Sequence, residues 1–477
     1  MTAVAAVDLG ATSGRVILGH VGRDGLRLRH VARFPNLPVR THEGDASALH
    51  WDVLGLYRAL TAGLADAIRA EPDVMSIGVD SWAVDYALLR RGRLLGAPYH
   101  YRDERTGRGV DDVHARVGAE ELYRRNGLQH MPFTTLFQLA AERDVLPSAD
   151  QALLVPDLIG YWLTGTARTE ITNASTTGLL DPRTRTWDEE LLARLDLPRG
   201  VLAPLIEPGT RLGTLLPTVA DELGAPEGLG VVAVGSHDTA SAVVAVPSSD
   251  DHVAYISSGT WSLVGLELDA PVITPESRAA NFTNEGGVDG RVRFLRNVSG
   301  LWLLSESIRT WEGRTGEVVD LGSLLAEAAA VRGGVTTFDA ADARFVAPGD
   351  IPARIVAWCG EHGLPAPATR AELVRSILES LAEAYSATLE EASALSGVLI
   401  DAVHIVGGGS QNELLCQLTA DHTGRTVLAG PVEATAIGNI LVQARSQGLV
   451  SGSLESLRAL VIQAHPPVRY QPRSPAR

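Results

Sequence analysis

The sequence predicts an α/β chain of two domains, and three observations carry that prediction. At 477 residues the chain exceeds what one core usually holds, so division is the natural expectation. Short apolar runs that read as strands alternate with amphipathic stretches at helical spacing. A glycine-tipped hairpin near the N-terminus also returns near the middle of the chain, as a duplicated architecture would have it.

Val4 to Leu9 is a buried-type strand, and after Gly10-Ala11-Thr12-Ser13-Gly14 the chain returns from Arg15 to His20. Small residues at such a tip expose backbone amides and hydroxyls. Amides of this kind hold phosphate oxygens, and Asp8 beside them is a carboxylate able to hold a hydrated magnesium ion; a plain turn has the same composition. Trp51, Leu54, Tyr57, Leu60, Leu64 and Ile68 then recur at helical spacing. Ser76 to Asp80 is an apolar strand that ends in Asp80-Ser81-Trp82-Ala83-Val84-Asp85. An aromatic face with two carboxylates is what a sugar needs, for stacking and for its hydroxyls; alternatively Trp82 is core and the aspartates are solvated. Tyr101 to Thr106 reads as a polar loop with a surface salt-bridge cluster. From about Glu120 to Leu195 the pattern is mainly helical, including Phe133 to Arg143 and Pro156 to Leu163, the latter closed by Gly165.

The run Val231 to Val234 stops at Gly235, and Gly235-Ser236-His237-Asp238-Thr239-Ala240-Ser241-Ala242 follows. This reads as a strand running into a helix with Asp238 at the junction, where a carboxylate can take the proton of a substrate hydroxyl. The simpler reading makes Ser236 or Asp238 a helix cap. The second half restarts the pattern: Val253 to Ser257, the turn Ser258-Gly259-Thr260, and the return Trp261 to Leu268. Asn284-Glu285-Gly286-Gly287, and Arg296-Asn297 before a helix at Gly300-Leu301-Trp302-Leu303-Leu304, add polar groups beside packed elements. Ala371 to Ala392 is a long structural helix. Val403 to Val406 runs into Gly407-Gly408-Gly409-Ser410, where glycines let a flat ring approach the backbone. Small residues from Pro431 to Gly438 start a closely packed helix. The expected division is 1–245, 246–465 and a Pro- and Arg-rich disordered tail, 466–477.

A formal charge of -16 argues against nucleic-acid or anionic-membrane partners, both of which demand a basic face. The sequence contains no lysine, which excludes a Walker A phosphate loop, a protein kinase and Schiff-base chemistry. Cys359 and Cys416 are not spaced for metal binding, and the N-terminus reads as no secretory signal, so a cytoplasmic protein is expected. No apolar run approaches the roughly 18 residues of a membrane helix.

Taken together, Asp8 to Arg15, Val79 to Asp85, Tyr101-Arg102-Asp103 with Arg105-Thr106, Ser236 to Ala242, Ser257 to Leu263, Asn284 to Gly287, Asn297 with Gly300 to Leu304, and Gly407 to Gly409 resemble the FGGY carbohydrate kinases. These belong to the sugar kinase, Hsp70 and actin superfamily, and the likeness runs from Val4 to about Ala444. It implies two ribonuclease-H-like domains around a central cleft and transfer of the ATP γ-phosphate, with Mg2+, to the 1-hydroxyl of L-rhamnulose. Asp238 would be the base. Ala11, Thr12, Ser13, Gly14, Arg15 and Thr260 would face the phosphates, Gly408 and Gly409 the adenosine, and Asp8 the metal. Ala83, Asp85, His237, Asp238, Thr239 and Asn297 would face the sugar. Two residues depart from the family's pattern: Ala83 stands where glycine is usual and Ser305, a candidate nucleotide contact, where glutamine is usual. Adjacent Ser236, His237 and Asp238 do not form a hydrolase triad, because neighbours cannot relay to each other. Alternatives are a kinase for another ketose or polyol, such as fuculose or xylulose, or a non-enzymatic actin-like or sugar-sensing ATP-binding protein. A monomer or small homo-oligomer is expected.

Overall fold

The computed structural model describes residues 1–22, 25–250, 253–332 and 334–473. It divides into two compact units that interleave along the chain: Met1–Asp251 with Glu267–Phe294 and Glu433–His465, and His252–Leu266 with Leu295–Val432 and Pro466–Arg477. Two segments that follow residue 245, Glu267–Phe294 and Glu433–His465, thus cluster with the first unit.

The first unit is built on a six-stranded sheet in the order Arg211–Thr214, Gly230–Val232, Ser76–Ser81, Thr2–Leu9, Ser13–Gly22, Gly25–Pro35. Thr2–Leu9 pairs antiparallel with Ser13–Gly22 and parallel with Ser76–Ser81, which pairs parallel with Gly230–Val232. The helix Val53–Ala70, started by the Asp52 side chain accepting from Gly55 N–H, buries Leu56, Leu60, Leu64 and Ile68 against one face. Ala434–Ser446 packs on Thr2–Leu9, Ser76–Ser81 and the short helix Asp238–Val244. Its small residues explain why it belongs here: a Cβ on Gly438 would collide with the Ser241 carbonyl oxygen. Periodicity shows that a helix has an apolar face, but not which sheet receives it. A second core within this unit gathers Val113, Leu136, Phe137, Leu154, Ile171 and Leu191 from the helical region after Tyr86.

The second unit repeats that strand order. Val292–Ser299, Trp261–Leu268, Ala254–Ser258, Ala402–Val406, Thr426–Ala429 and Val468–Tyr470 follow one another across its sheet. Ala254–Ser258 is antiparallel to its hairpin partner and parallel to Ala402–Val406, just as Thr2–Leu9 is in the first sheet. The long helix is Arg370–Ser396, opened by a capping box between Thr369 and Glu372 and closed by left-handed Gly397.

The tail expectation fails through residue 473. Val468–Tyr470 adds an antiparallel edge strand to Thr426–Ala429, and Arg473 pairs with Asp421. Proline is tolerated beside an edge strand, so its abundance did not signal disorder. Residues 474–477 of that tail lie outside the described residues. Among the described residues, no helix is long and apolar enough to cross a membrane.

Candidate active site

Three neighbouring parallel strands of the first unit, Thr2–Leu9, Ser76–Ser81 and Gly230–Val232, bring their C-terminal ends to one edge, where α/β sheets present ligands. Asp8 and Asp80 stand opposite each other in register there. Beyond Val232 the chain keeps alongside: Ser81 N–H donates to the Ser236 carbonyl at 2.9 Å, and His237 bridges to Ser81. The next residue, Asp238, opens the helix Asp238–Val244.

Neither Ser236 nor Asp238 caps that helix. His237 occupies the cap position and its side chain makes no capping hydrogen bond. The Ser236 hydroxyl donates instead to Glu170, whose Oε2 accepts Ser236 N and Oγ, both at 2.9 Å, and the Thr172 hydroxyl at 2.6 Å. Asn173 Nδ2 reaches the Ser236 carbonyl at 3.4 Å. A buried carboxylate thus fixes the turn that carries Asp238 and leaves the Asp238 side chain 30% exposed. Thr239 Oγ1 donates to Asp238 Oδ1 at 3.1 Å.

Burial separates the other two carboxylates from Asp238. Burial, only partly offset by Arg15 Nε at 3.5 Å, pushes the Asp8 carboxyl up to about 6. Burial and the neighbouring Asp8 charge raise Asp80 well above the usual range. Asp80 Oδ2 accepts from Asn439 at 2.6 Å, and Gln443, one turn on, donates to Asn439 Oδ1 at 2.6 Å. Asp8 Oδ2 and Asp80 Oδ1 are buried with no hydrogen-bond partner among the described residues. Two such oxygens side by side are the hard donors a divalent cation takes.

The hairpin tip is pinned at both sides. Gly10 N–H donates to the Ser13 carbonyl at 3.0 Å, Asn36 N–H to the Thr12 carbonyl at 3.0 Å, and Asn36 Nδ2 to the Gly10 carbonyl at 2.9 Å. Ala11 and Ser13 are half-buried, Thr12 is exposed, and Gly14 packs under Phe34, which would collide with a Cβ there. Arg15 is held by Asp8 and Glu433.

The Trp82 segment departs from the sugar-stacking expectation. Trp82 is 5% exposed and packs at a tilt against Trp51, with ring centroids 4.0 Å apart. Asp85, expected to face the sugar, is fully buried: Trp51 Nε1 at 2.6 Å, Trp82 Nε1 at 3.1 Å and Tyr101 N at 3.1 Å all donate to its Oδ2. Gln138 fills Oδ1 at 2.9 Å. With both oxygens taken, Asp85 organises the aromatic cluster and is not placed to receive a ligand. Ala83 is half-buried and precedes Val84, whose φ of 66 is rare for a β-branched residue. The polar loop also folds inward, with Asp103 buried and accepting from Leu49 N–H at 2.8 Å.

In the second unit, the turn after Ala254–Ser258 places half-buried Thr260 against the loop that starts the helix Trp302–Thr315. Leu301 N–H donates to the Gly259 carbonyl at 2.9 Å and Trp302 N–H to the Thr260 carbonyl at 3.2 Å. A Cβ on Gly300 would lie 2.6 Å from the Trp261 backbone, so glycine is needed for that approach. Buried Gly409 packs on Ser258 at the same strand end, and Gly408 is exposed. Ser305 is exposed on the first turn of Trp302–Thr315, and Asn297 is half-buried on Val292–Ser299. In this unit the structure therefore sets Thr260 beside Gly300 and Gly409 beside Ser258, and in the other it brings Asp8, Arg15, His237, Asp238 and Thr239 together.

Sequence reasoning missed Glu170, Asn36, Arg293 and Asn439. Asn36 left a signal, as a polar residue among Phe34, Pro35, Leu37, Pro38 and Val39, whereas Glu170 lies in a polar run and left none. Asn439 and Gln443 left only their spacing of four along a helix.

Residues 3–245 match the FGGY family of carbohydrate kinases, N-terminal domain, and residues 254–447 match its C-terminal domain. The chain belongs to the FGGY family of carbohydrate kinases. Within it, the chain is 41% identical to a rhamnulokinase of Bacteroides thetaiotaomicron over 99% of this chain and 96% of that one. It is 44% identical to a rhamnulokinase of Pectobacterium carotovorum, over 99% and 93%. Among solved structures it resembles a ligand-bound xylulose kinase from Lactobacillus acidophilus, with TM-score 0.77, 18% identity and coverage of 99% and 94%. A glycerol kinase from Plasmodium falciparum with ADP gives TM-score 0.75 and 15% identity, again covering 99% of this chain and 94% of that one. At these identities the structural likeness concerns the fold alone.

Proposed function

We propose that the protein transfers the γ-phosphate of ATP to the 1-hydroxyl of L-rhamnulose, with Asp238 taking the hydroxyl proton. The observation that carries this is Asp238 itself: a 30% exposed carboxylate at a strand-end edge, in a chain 41% identical to a rhamnulokinase across nearly its whole length. In the step, the sugar O1–H bond breaks and its proton passes to an Asp238 oxygen. O1 bonds to the γ-phosphorus, and the bond to ADP breaks.

Phosphoryl transfer asks the protein for positioning and charge rather than covalent help. Ala11 to Arg15 and Thr260 supply amides, hydroxyls and a guanidinium for the phosphates, while Gly408 and Gly409 leave room for the adenosine, with Ser305 as a further nucleotide contact. His237, Thr239, Asn297 and the Ala83 backbone orient the sugar. Asp8 and Asp80 fit a magnesium ion, since each offers a buried carboxylate oxygen that makes no hydrogen bond among the described residues, with Arg15 Nε 3.5 Å from that of Asp8. When bound, that ion neutralises developing phosphate charge. The methyl of Ala83 narrows the sugar side relative to glycine and so bears on which ketose fits. Two unpaired buried cysteines suit a cytoplasmic setting.

A coupled ADP-release assay over L-rhamnulose, L-fuculose, D-xylulose and polyols tests the proposal. L-rhamnulose should give the highest kcat/KM and a phosphomonoester on the primary carbon. A higher kcat/KM on another compound would overturn the substrate assignment.

A further inference from the structure

His237 lies next to the proposed base and is 6% exposed. Its Nε2 is 3.4 Å from Asp238 Oδ1, and its Nδ1 meets two groups: Arg293 Nη2 at 2.9 Å and Glu285 Oε2 at 3.3 Å. These demand opposite states of Nδ1. A guanidinium can only donate, so Nδ1 opposite it must present a lone pair, whereas a carboxylate partner would call for Nδ1–H.

Three further contacts decide between them. Arg293 is fully buried, its Nε donates to the Gly286 carbonyl at 3.0 Å, and its Nη1 pairs with Glu285 Oε2 at 3.1 Å. Gly286 is itself fixed, its N–H donating to Ser175 Oγ at 2.7 Å. The guanidinium is thus anchored on two edges, with Nη2 directed at the imidazole. Burial alone would raise the Glu285 carboxyl, yet the Arg293 guanidinium beside it holds it below its usual range, so it stays ionised and balances Arg293.

We infer that Glu285 and Arg293 are positioning residues that lock His237 as the neutral Nε2–H tautomer. This rests on the kinase reading above only for its consequence in turnover. The locked ring presents a donor to the Asp238 carboxylate and to a sugar oxygen, and it has no free lone pair with which to accept the hydroxyl proton. Asp238 is then the base by elimination within the pair. In the opposite tautomer, the Nε2 lone pair would face the Asp238 lone pairs, and both residues would compete for the same proton.

The tautomer is read directly in the sugar-free protein labelled with 15N-histidine, with the His237 resonances assigned by their loss in H237N. Nδ1 should appear as an unprotonated, pyridine-type nitrogen and Nε2 as a protonated, pyrrole-type one. A protonated Nδ1 overturns the inference, whatever the kinase assays give. Absence of phosphorylation on every ketose would instead defeat the functional reading and leave the tautomer standing. The variant R293M strands Glu285 in the interior and is open to misfolding, so the double variant R293M/E285Q accompanies it. In the double variant the introduced amide carbonyl accepts from Nδ1–H, and the tautomer should flip. With it, kcat should fall by roughly 10- to 100-fold while KM for ATP is unmoved, a smaller loss than where the mis-set imidazole is itself the base. A double variant that keeps Nε2–H or wild-type kcat overturns the assignment.

Discussion

Replacing Asp8 by asparagine should make the protein more stable and nearly inactive. In the wild type, folding buries the Asp8 side chain beside Asp80, and burial lifts its carboxyl from 3.8 to about 6. That displacement corresponds to roughly 3 kcal/mol against the charged form, with the pull of Arg15 already included. Because the folded-state value lies above the unfolded one, the folded state keeps its proton longer, and wild-type stability falls as pH rises from about 4 to about 6. The amide of the variant carries no charge at any pH. The advantage of D8N should be absent near pH 4, grow through that window and level off at roughly 3 kcal/mol above it. For a chain of this size that is about 3–5 °C in Tm. Thermal and urea unfolding at about pH 4.5, 6 and 7.5 in the presence of EDTA measure it. A D8N protein that melts at or below the wild type at about pH 7.5, or an advantage that does not shrink on acidification, would refute the reasoning. If Asp8 holds Mg2+ as proposed, adding the ion should narrow the gap from the other side by stabilising the wild type more than the variant.

D238N should lower kcat by about 10²- to 10⁴-fold with KM for the sugar little changed, the signature of an interaction made in the transition state; steady-state kinetics check it. E170Q puts an amide N–H where Ser236 N, Ser236 Oγ and Thr172 Oγ1 already donate. It should cost roughly 1–3 kcal/mol in urea unfolding and reduce kcat by displacing the turn that carries Asp238. G438A forces a methyl into the Ser241 carbonyl and should lower stability by about 1–3 kcal/mol or more, read from the unfolding midpoint.

Local features were legible in the sequence because they depend on neighbours along the chain. Both glycine-tipped hairpins, the body of the long helix from Ala371 to Ala392 and the helix opening at Asp238 follow from period and turn residues. The destination of Ala434–Ser446 was not legible, since its Gly438 and Asn439 are matched to Ser241 and Asp80, about 200 and 360 residues away in sequence. Trp82 and Asp85 show a second limit. The sequence announced an aromatic beside acids, which suits a sugar, but Trp51 and Gln138 turn the same residues into core. Arg293 left no signal, because an alternating strand residue reads as solvent-facing until a buried partner such as Glu285 is known.

Burial is what sorts otherwise identical side chains into roles at this strand edge. Asp8 is 2% exposed and Asp80 is fully buried, so neither can receive a proton from a sugar hydroxyl without moving. Their ionised forms are disfavoured, which is a standing cost to the fold unless something positive meets them. Arg15 reaches Asp8 from one side only, and Asn439 satisfies one oxygen of Asp80. Asp238 differs because Glu170 takes over the turn's hydrogen bonding, so the helix needs no side-chain cap and the carboxylate is left part-exposed. A base must be reachable by the proton it removes. Under the proposed function, the carboxylate that the fold leaves reachable is the one that would take the sugar proton, and the two it buries would serve only to hold a cation.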